Sequence, residues 1–179
     1  VIDGQISSII FSLIAVFFII LIAYKTFMGG VISIIPLSLT ILSNFAVMGF
    51  FNIALDASTA LVASIAIGIG VDYTIHYINT FRAEAKNTSD LEKITEHTTS
   101  HSGRAILINA IVVGAGFLVL LFSNFNSVMY MGILVAVTMF VAGISSITII
   151  PALINIIKPK SLINPKNLDL DSEIKINGQ

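Results

Sequence analysis

The sequence predicts an all-α membrane protein: a bundle of five transmembrane helices with a short amphipathic helix on its cytoplasmic side. Three observations carry that prediction. The 179 residues are 56% hydrophobic and only 11% charged, against about 25% charged in soluble domains, and the mean hydropathy is +0.98. Five apolar runs recur, each of 18 residues or more, enough for a helix across roughly 30 Å of hydrocarbon. The basic residues fall only in alternate breaks between those runs. A net charge of −1 offers no basic field for nucleic acid, and the absence of cysteine excludes disulfides and thiolate metal sites.

The spans follow in order. The first is Ile6–Ala23; no charged segment precedes it and no small-residue cleavage site follows, so it does not read as a signal peptide. With Val as the first residue, the chain reads as a piece of a longer protein. The second span, Val31–Phe51, follows Gly29-Gly30 and holds Pro36. The third is Ser58–Phe81, the fourth Ala105–Phe122 and the fifth Val128–Ile150, with Pro36 and Pro151 expected to kink or end their helices. Gly114, Gly116, Gly132 and Gly143 are expected to be packing positions. Between the third and fourth spans, Ser89-Asp90-Leu91-Glu92 fits a capping box. Leu91, Ile94 and Thr98 then share a face, which predicts a short surface helix; a solvated connecting helix is the alternative. Residues 1–157 form the membrane domain, and the polar stretch 158–179 is expected to be a disordered cytoplasmic tail.

If the helices alternate, all nine Lys and Arg (Lys25, Arg82, Lys86, Lys93, Arg104, Lys158, Lys160, Lys166 and Lys175) lie on one side. The positive-inside rule makes that side cytoplasmic and puts the N-terminus outside.

Asp72 stands out against this background. It lies nine residues before Phe81, about 13 Å from the end of its span and so near the midplane. A charged carboxylate there costs roughly 3 kcal/mol or more. Loss of hydration favours the neutral form of a carboxyl, so an acid at that depth is suited to hold and release a proton. The alternative is a buried acid that only cross-links helices. Stepping by four gives Ala60, Ser64, Gly68, Asp72, His76 and Thr80, a row with no bulky apolar residue, between apolar rows. Such a stripe faces protein or water. His76, one turn from Asp72 toward the cytoplasm, is placed either to share or pass on its proton or to serve as a plain hydrogen-bonding group. Tyr73 is either a donor to a carboxylate on another helix or a packing aromatic. Asn44, Asn109, Thr138, Ser145, Ser146 and Thr148 are read as helix glue that lines the same interior. Gly68-x-Gly70 sits inside a hydrophobic helix and is not a nucleotide loop.

Gly68-Ile69-Gly70-Val71-Asp72-Tyr73, followed by His76 and Arg82, resembles the GxGxDY helix of the resistance-nodulation-division (RND) superfamily, most closely its MmpL-like branch of hydrophobe exporters. Gly103-Arg104-Ala105-Ile106, Gly116-Phe117, Ser123, Gly132 and Pro151-Ala152-Leu153 agree in order, so the resemblance covers Ile6–Leu153. It implies a twelve-helix transporter of two pseudo-repeated halves, of which these would be the last five helices of one half, the C-terminal one being favoured. It further implies that Asp72 and Tyr73, with His76, form a proton relay facing a second Asp-Tyr helix in the other half. The implied coupling ion is a proton, with no other cofactor, and the implied partners are the other half, the bilayer and a lipid or hydrophobic substrate in the cell membrane. A sterol-sensing-domain-like lipid sensor and a SecDF-like protein-translocation factor remain as alternatives, although Tyr73 stands where a GxGxDD-type motif has a second acid. With no H-E-x-x-H, no G-x-S-x-G and a single acid within the spans, an enzyme is not expected.

Overall fold

The computed structural model describes residues 2–25, 27–88 and 90–158. Five helices account for most of them: α1 (Ile2–Tyr24), α2 (Phe27–Phe50), α3 (Ala57–Glu84), α4 (Leu91–Leu118) and α5 (Asn126–Ile157), with a 3₁₀ turn at Val119–Phe122. All five are long and apolar enough to cross a membrane. Helices are the expected solution, because every backbone N–H and C=O in hydrocarbon must be paired within its own segment.

Contacts at the two ends show that the helices alternate in direction. At one end the Gln5 amide of α1 donates to the Ala60 carbonyl of α3 at 2.9 Å, and Ser127 of α5 donates to Asp56 at 2.6 Å. At the other, the Tyr24 hydroxyl meets Asn79 at 2.8 Å, and Glu84 meets His97 at 3.2 Å. Lys25, Arg82, Lys86, Lys93 and Lys158 cluster toward this second end, here called the basic end. Lys160, Lys166, Lys175 and the predicted tail lie outside the described residues, apart from Lys158, which caps α5 in a left-handed conformation.

α5 is the central helix, packed on α2, α3 and α4. Its Leu134, Met139, Ile150 and Ile154 are fully buried, as are Tyr77 and Phe81 of α3. Gly132 allows its closest approach: an added Cβ would sit 2.7 Å from the Phe117 carbonyl oxygen, a backbone atom with no room to yield. Gly114 and Gly143 are likewise packed against neighbouring helices, whereas Gly116 faces open space and is no packing position within this unit. α1 is the least covered helix, with Phe11 and Ile22 both more than 70% exposed, the surface a lipid-facing helix presents.

Three boundaries differ from the sequence prediction. Gly29-Gly30 do not precede α2 but lie inside it, where Gly30 accommodates the Phe17 ring of α1. Pro151 neither ends nor interrupts α5, which runs six residues further. An interior proline costs about 3 kcal/mol, but stopping a helix beside hydrocarbon would orphan several carbonyls at several kcal/mol each. Pro36 is likewise inside a continuous α2. Finally, the predicted surface helix is not a separate element: Leu91 begins α4, which continues without interruption to Leu118. Its face of Leu91, Ile94 and Thr98 turns into the bundle, Ile94 and Thr98 being fully buried. Ser89 lies outside the described residues, and the cap is made by Asp90, whose carboxylate accepts from the Glu92 N–H at 3.2 Å.

Candidate functional site

α3 is set by caps and contacts at both ends. At its start Asp56 and Thr59 form a reciprocal capping box, Asp56 Oδ1 accepting from the Thr59 N–H and Thr59 Oγ1 from the Asp56 N–H, each at 2.8 Å. The other carboxylate oxygen accepts from Ser127. These bonds, the one from Ser127 first, hold the Asp56 carboxyl below its ordinary pKa. At the basic end, Tyr77 is hydrogen-bonded to Thr99 at 2.8 Å, Ser102 donates to Thr80 at 2.6 Å, and Arg82 lies 5.3 Å over the Tyr24 ring. α3 and α4 thus run side by side and antiparallel.

Between these ends the small and polar row turns outward. Ser64, Gly68, Asp72 and His76 are exposed on the surface of the five-helix unit, while Ala60 and Thr80 are half-buried. A Cβ added at Gly68 would meet nothing within 4 Å, whereas one at Gly70 would strike Leu37 of α2. Gly68 therefore belongs to an open seam and Gly70 to the packed interior. Thr80 leaves the open part of the row, since its hydroxyl accepts from Ser102 and donates to the His76 carbonyl.

Asp72 and His76 line a cleft of about 250 Å³ with Tyr73, Ala105, Ile106 and Asn109. Among the described residues no hydrogen-bond donor or basic group reaches the Asp72 carboxylate. The direct Asp72–His76 hydrogen bond considered from the spacing is not formed; the cleft brings the two groups together without joining them. Within this unit Tyr73 is placed as the packing alternative, with no carboxylate bonded to it among the described residues. It is buried at 3% exposure, accepts from Asn109 Nδ2 at 3.3 Å, and points its hydroxyl at Met139 Sδ, 4.0 Å away. Asn109 thus joins α4 to α3 as the helix glue expected of it, and it also lines the cleft. The available signal was its amide, set among Ile106, Leu107, Ile108 and Ile111.

Of the other intramembrane polar residues, Asn44 donates to Thr138 at 2.6 Å in a fully buried clamp between α2 and α5. Ser145 and Ser146 are buried on α5, and Thr148 is exposed. Among the described residues no group of three or more His, Asp or Glu is arranged to hold a metal ion.

Residues 3–170 match the family model described as the MMPL family. A membrane protein of Methanocaldococcus jannaschii is 25% identical over 142 residues, 79% of this chain and 37% of that protein. The hopanoid transporter HpnN of Rhodopseudomonas palustris is 29% identical over 106 residues, 59% of this chain and 12% of that protein. The trehalose monomycolate exporter MmpL3 of Mycolicibacterium smegmatis is 27% identical over 100 residues, 56% of this chain and 10% of that protein. The chain therefore spans little more than a third of the length of the first of these relatives and about a tenth of the other two.

Proposed function

The chain belongs to the MMPL family, and on that premise we propose that it is the membrane portion of a proton-driven RND transporter that exports lipids or other hydrophobic molecules. The observation that carries the reading is Asp72 itself: an acid in the middle of a membrane-length helix, beside His76, in a cleft on an outward row of small residues. Two of the relatives are a hopanoid transporter and a trehalose monomycolate exporter, which supports a lipid as the cargo class. The relay is Asp72 with His76, and Tyr73 holds the wall of the cleft through Asn109. The seam is where the other half of the transporter, with a second acid-bearing helix, packs. The protein is placed in the cell membrane with its N-terminus outside and the basic end in the cytoplasm, as the alternation of basic residues supports.

The mechanism follows from the two charge states of one group. A neutral Asp72 carboxyl is compatible with a closed, dry seam. The carboxylate, at roughly 3 kcal/mol or more in hydrocarbon, requires water or a donor and favours an opened one. A proton taken up from outside and released inside thus switches the seam once per cycle, and each charge moved through 100 mV supplies about 2.3 kcal/mol. The test is proton uptake by the full-length protein in liposomes under an imposed potential. Asp72→Asn should abolish uptake while insertion and helix content are retained. Uptake unchanged by that substitution would leave Asp72 a structural residue and overturn the relay.

A further inference from the structure

α3 and α4 carry two matched rows that continue the Asp72 cleft toward the basic end. On α3, stepping by four gives Asp72, His76, Thr80 and Glu84; on α4 it gives Asn109, Ala105, His101 and His97. The antiparallel register faces one row with the other. Asp72 and His76 share the cleft with Asn109 and Ala105, Thr80 meets Ser102 beside His101, and Glu84 meets His97. Each row covers about 18 Å at 1.5 Å per residue, and neither holds a bulky apolar side chain. Elsewhere α4 exposes Leu107 and Ile111, while Ile108 and Val112, three residues beyond Ala105 and Asn109, flank the strip on the same face.

At the base the two imidazoles are stacked, 4.4 Å between centroids and 27° between planes. Each has its Nδ1 against an acceptor: His97 Nδ1 is 3.2 Å from Glu84 Oε1, and His101 Nδ1 is 3.1 Å from the His97 carbonyl oxygen. A carbonyl or carboxylate oxygen accepts, so in the neutral form of each ring Nδ1 carries the hydrogen and Nε2 offers the lone pair that can take a proton. His97 is 58% exposed and His101 is exposed.

We propose that Glu84, His97 and His101 form the cytoplasmic port of the proton path, collecting protons released from Asp72 and delivering them to bulk water. The proposal rests on the relay reading of Asp72. The proton leaves the Asp72 carboxyl and binds a free nitrogen of His76. It crosses by water past the Thr80–Ser102 hydroxyls to Nε2 of His101 or His97, and departs to the cytoplasm. Only O–H and N–H bonds form and break, and each group returns to its starting state. The other charged or titratable groups on the elements that meet here are Tyr73, Tyr77 and Arg82 on α3, Lys86 and Asp90 in the connection, and Glu92, Lys93, Glu96 and Arg104 on α4. Lys93 is paired with Asp90 at 3.6 Å. α5, packed on α4, has Tyr130 but no Asp, Glu, His, Lys or Arg between Asn126 and Ile157, and Lys158 beyond it lines a separate cleft with Glu92 and Glu96.

The test uses the full-length protein in liposomes, with weak or imidazole-rich buffer on the cytoplasmic side. In weak buffer the double variant His97→Gln, His101→Gln should take up protons roughly fivefold more slowly than wild type, less than the ~10²-fold typical of a group at a reacting centre. Mobile imidazole should restore the rate, because a diffusing base replaces a surface port, and it should not rescue Asp72→Asn. If the double variant does not fold, each single variant serves, with a smaller loss and the same rescue. Wild-type rates in weak buffer, or a loss that imidazole does not restore, overturn the port. Uptake that depends on Asp72 but not on the histidines overturns the port alone, whereas uptake independent of Asp72 overturns the relay and the port together.

Discussion

Two polar constellations within the spans make an instructive contrast. Asn44 and Thr138 join α2 to α5 through a 2.6 Å bond, with both side chains almost fully buried. Asp72 and His76 lie on the outside of the bundle, and no group among the described residues satisfies the carboxylate. The first pair is joined within the chain and acts as a fastener, although the Asn44 side-chain oxygen has no partner among the described residues. The second is chemically incomplete, and in a membrane an incomplete polar group needs a partner surface or water. The difference lies in what each pair bonds: Asn44 and Thr138 bond each other across two helices, whereas Asp72 and His76 do not bond each other and face outward.

The contrast is sharpened most by Asp72→Asn, which keeps shape and removes the ionisable group. Proton uptake should be abolished with thermal stability unchanged or slightly raised, measured on one preparation by flux and by melting. Gly132→Val attacks the sealed side, where a Cβ meets the Phe117 carbonyl oxygen at 2.7 Å. A loss of about 1–3 kcal/mol is expected from overpacking, read as a lower unfolding midpoint in detergent. Asn44→Val should cost less, about 0.6 kcal/mol, the average for a hydrogen bond between membrane helices, because the Thr138 hydroxyl keeps its bond to the Leu134 carbonyl. Acid should loosen α3 at its Asp56 cap. The folded pKa is depressed, so this contribution is complete above the ordinary value of 3.8 and declines as pH falls below it; Asp56→Asn should flatten that part of the stability profile. Smallest of all in stability is Gly68→Ala. The added methyl meets nothing within 4 Å, so the five-helix unit should melt unchanged, and any loss of transport would locate the effect in what covers the seam.

Much of the arrangement was legible from spacing alone. Run lengths gave five spans, because hydrocarbon thickness sets a minimum that few other folds require. The four-residue step from Ala60 to Thr80 gave the row, because helical periodicity determines which residues share a face. It did not give the row's neighbours. That Tyr73 meets Asn109, 36 residues away, and that Gly68 faces outward while Gly70 faces α2, depend on how α3 is rotated against its neighbours, which no local pattern encodes. The merger of the predicted surface helix into α4 was missed for a related reason. Leu91, Ile94 and Thr98 do form one face, but an amphipathic face does not say whether it meets lipid or protein. Pro151 misled because the rule for proline in helices weighs one lost hydrogen bond, not the alternative of orphaned carbonyls beside the bilayer.

The attachments of α3 have a mechanical consequence. Asp56 ties its first turn to Ser127 of α5, and Tyr77, Thr80 and Glu84 tie its last turns to α4. The helix is a rod clamped at both ends. Between those ends the Asp72 side chain makes no such attachment, although Tyr73 beside it is held by Asn109 of α4; Gly68 and Gly70, just before it, each weaken a helix by about 1 kcal/mol relative to alanine. On the proposed relay reading, a change of charge at Asp72 acts on a helix whose two ends are held in register, and the glycines before it are where that helix yields most readily.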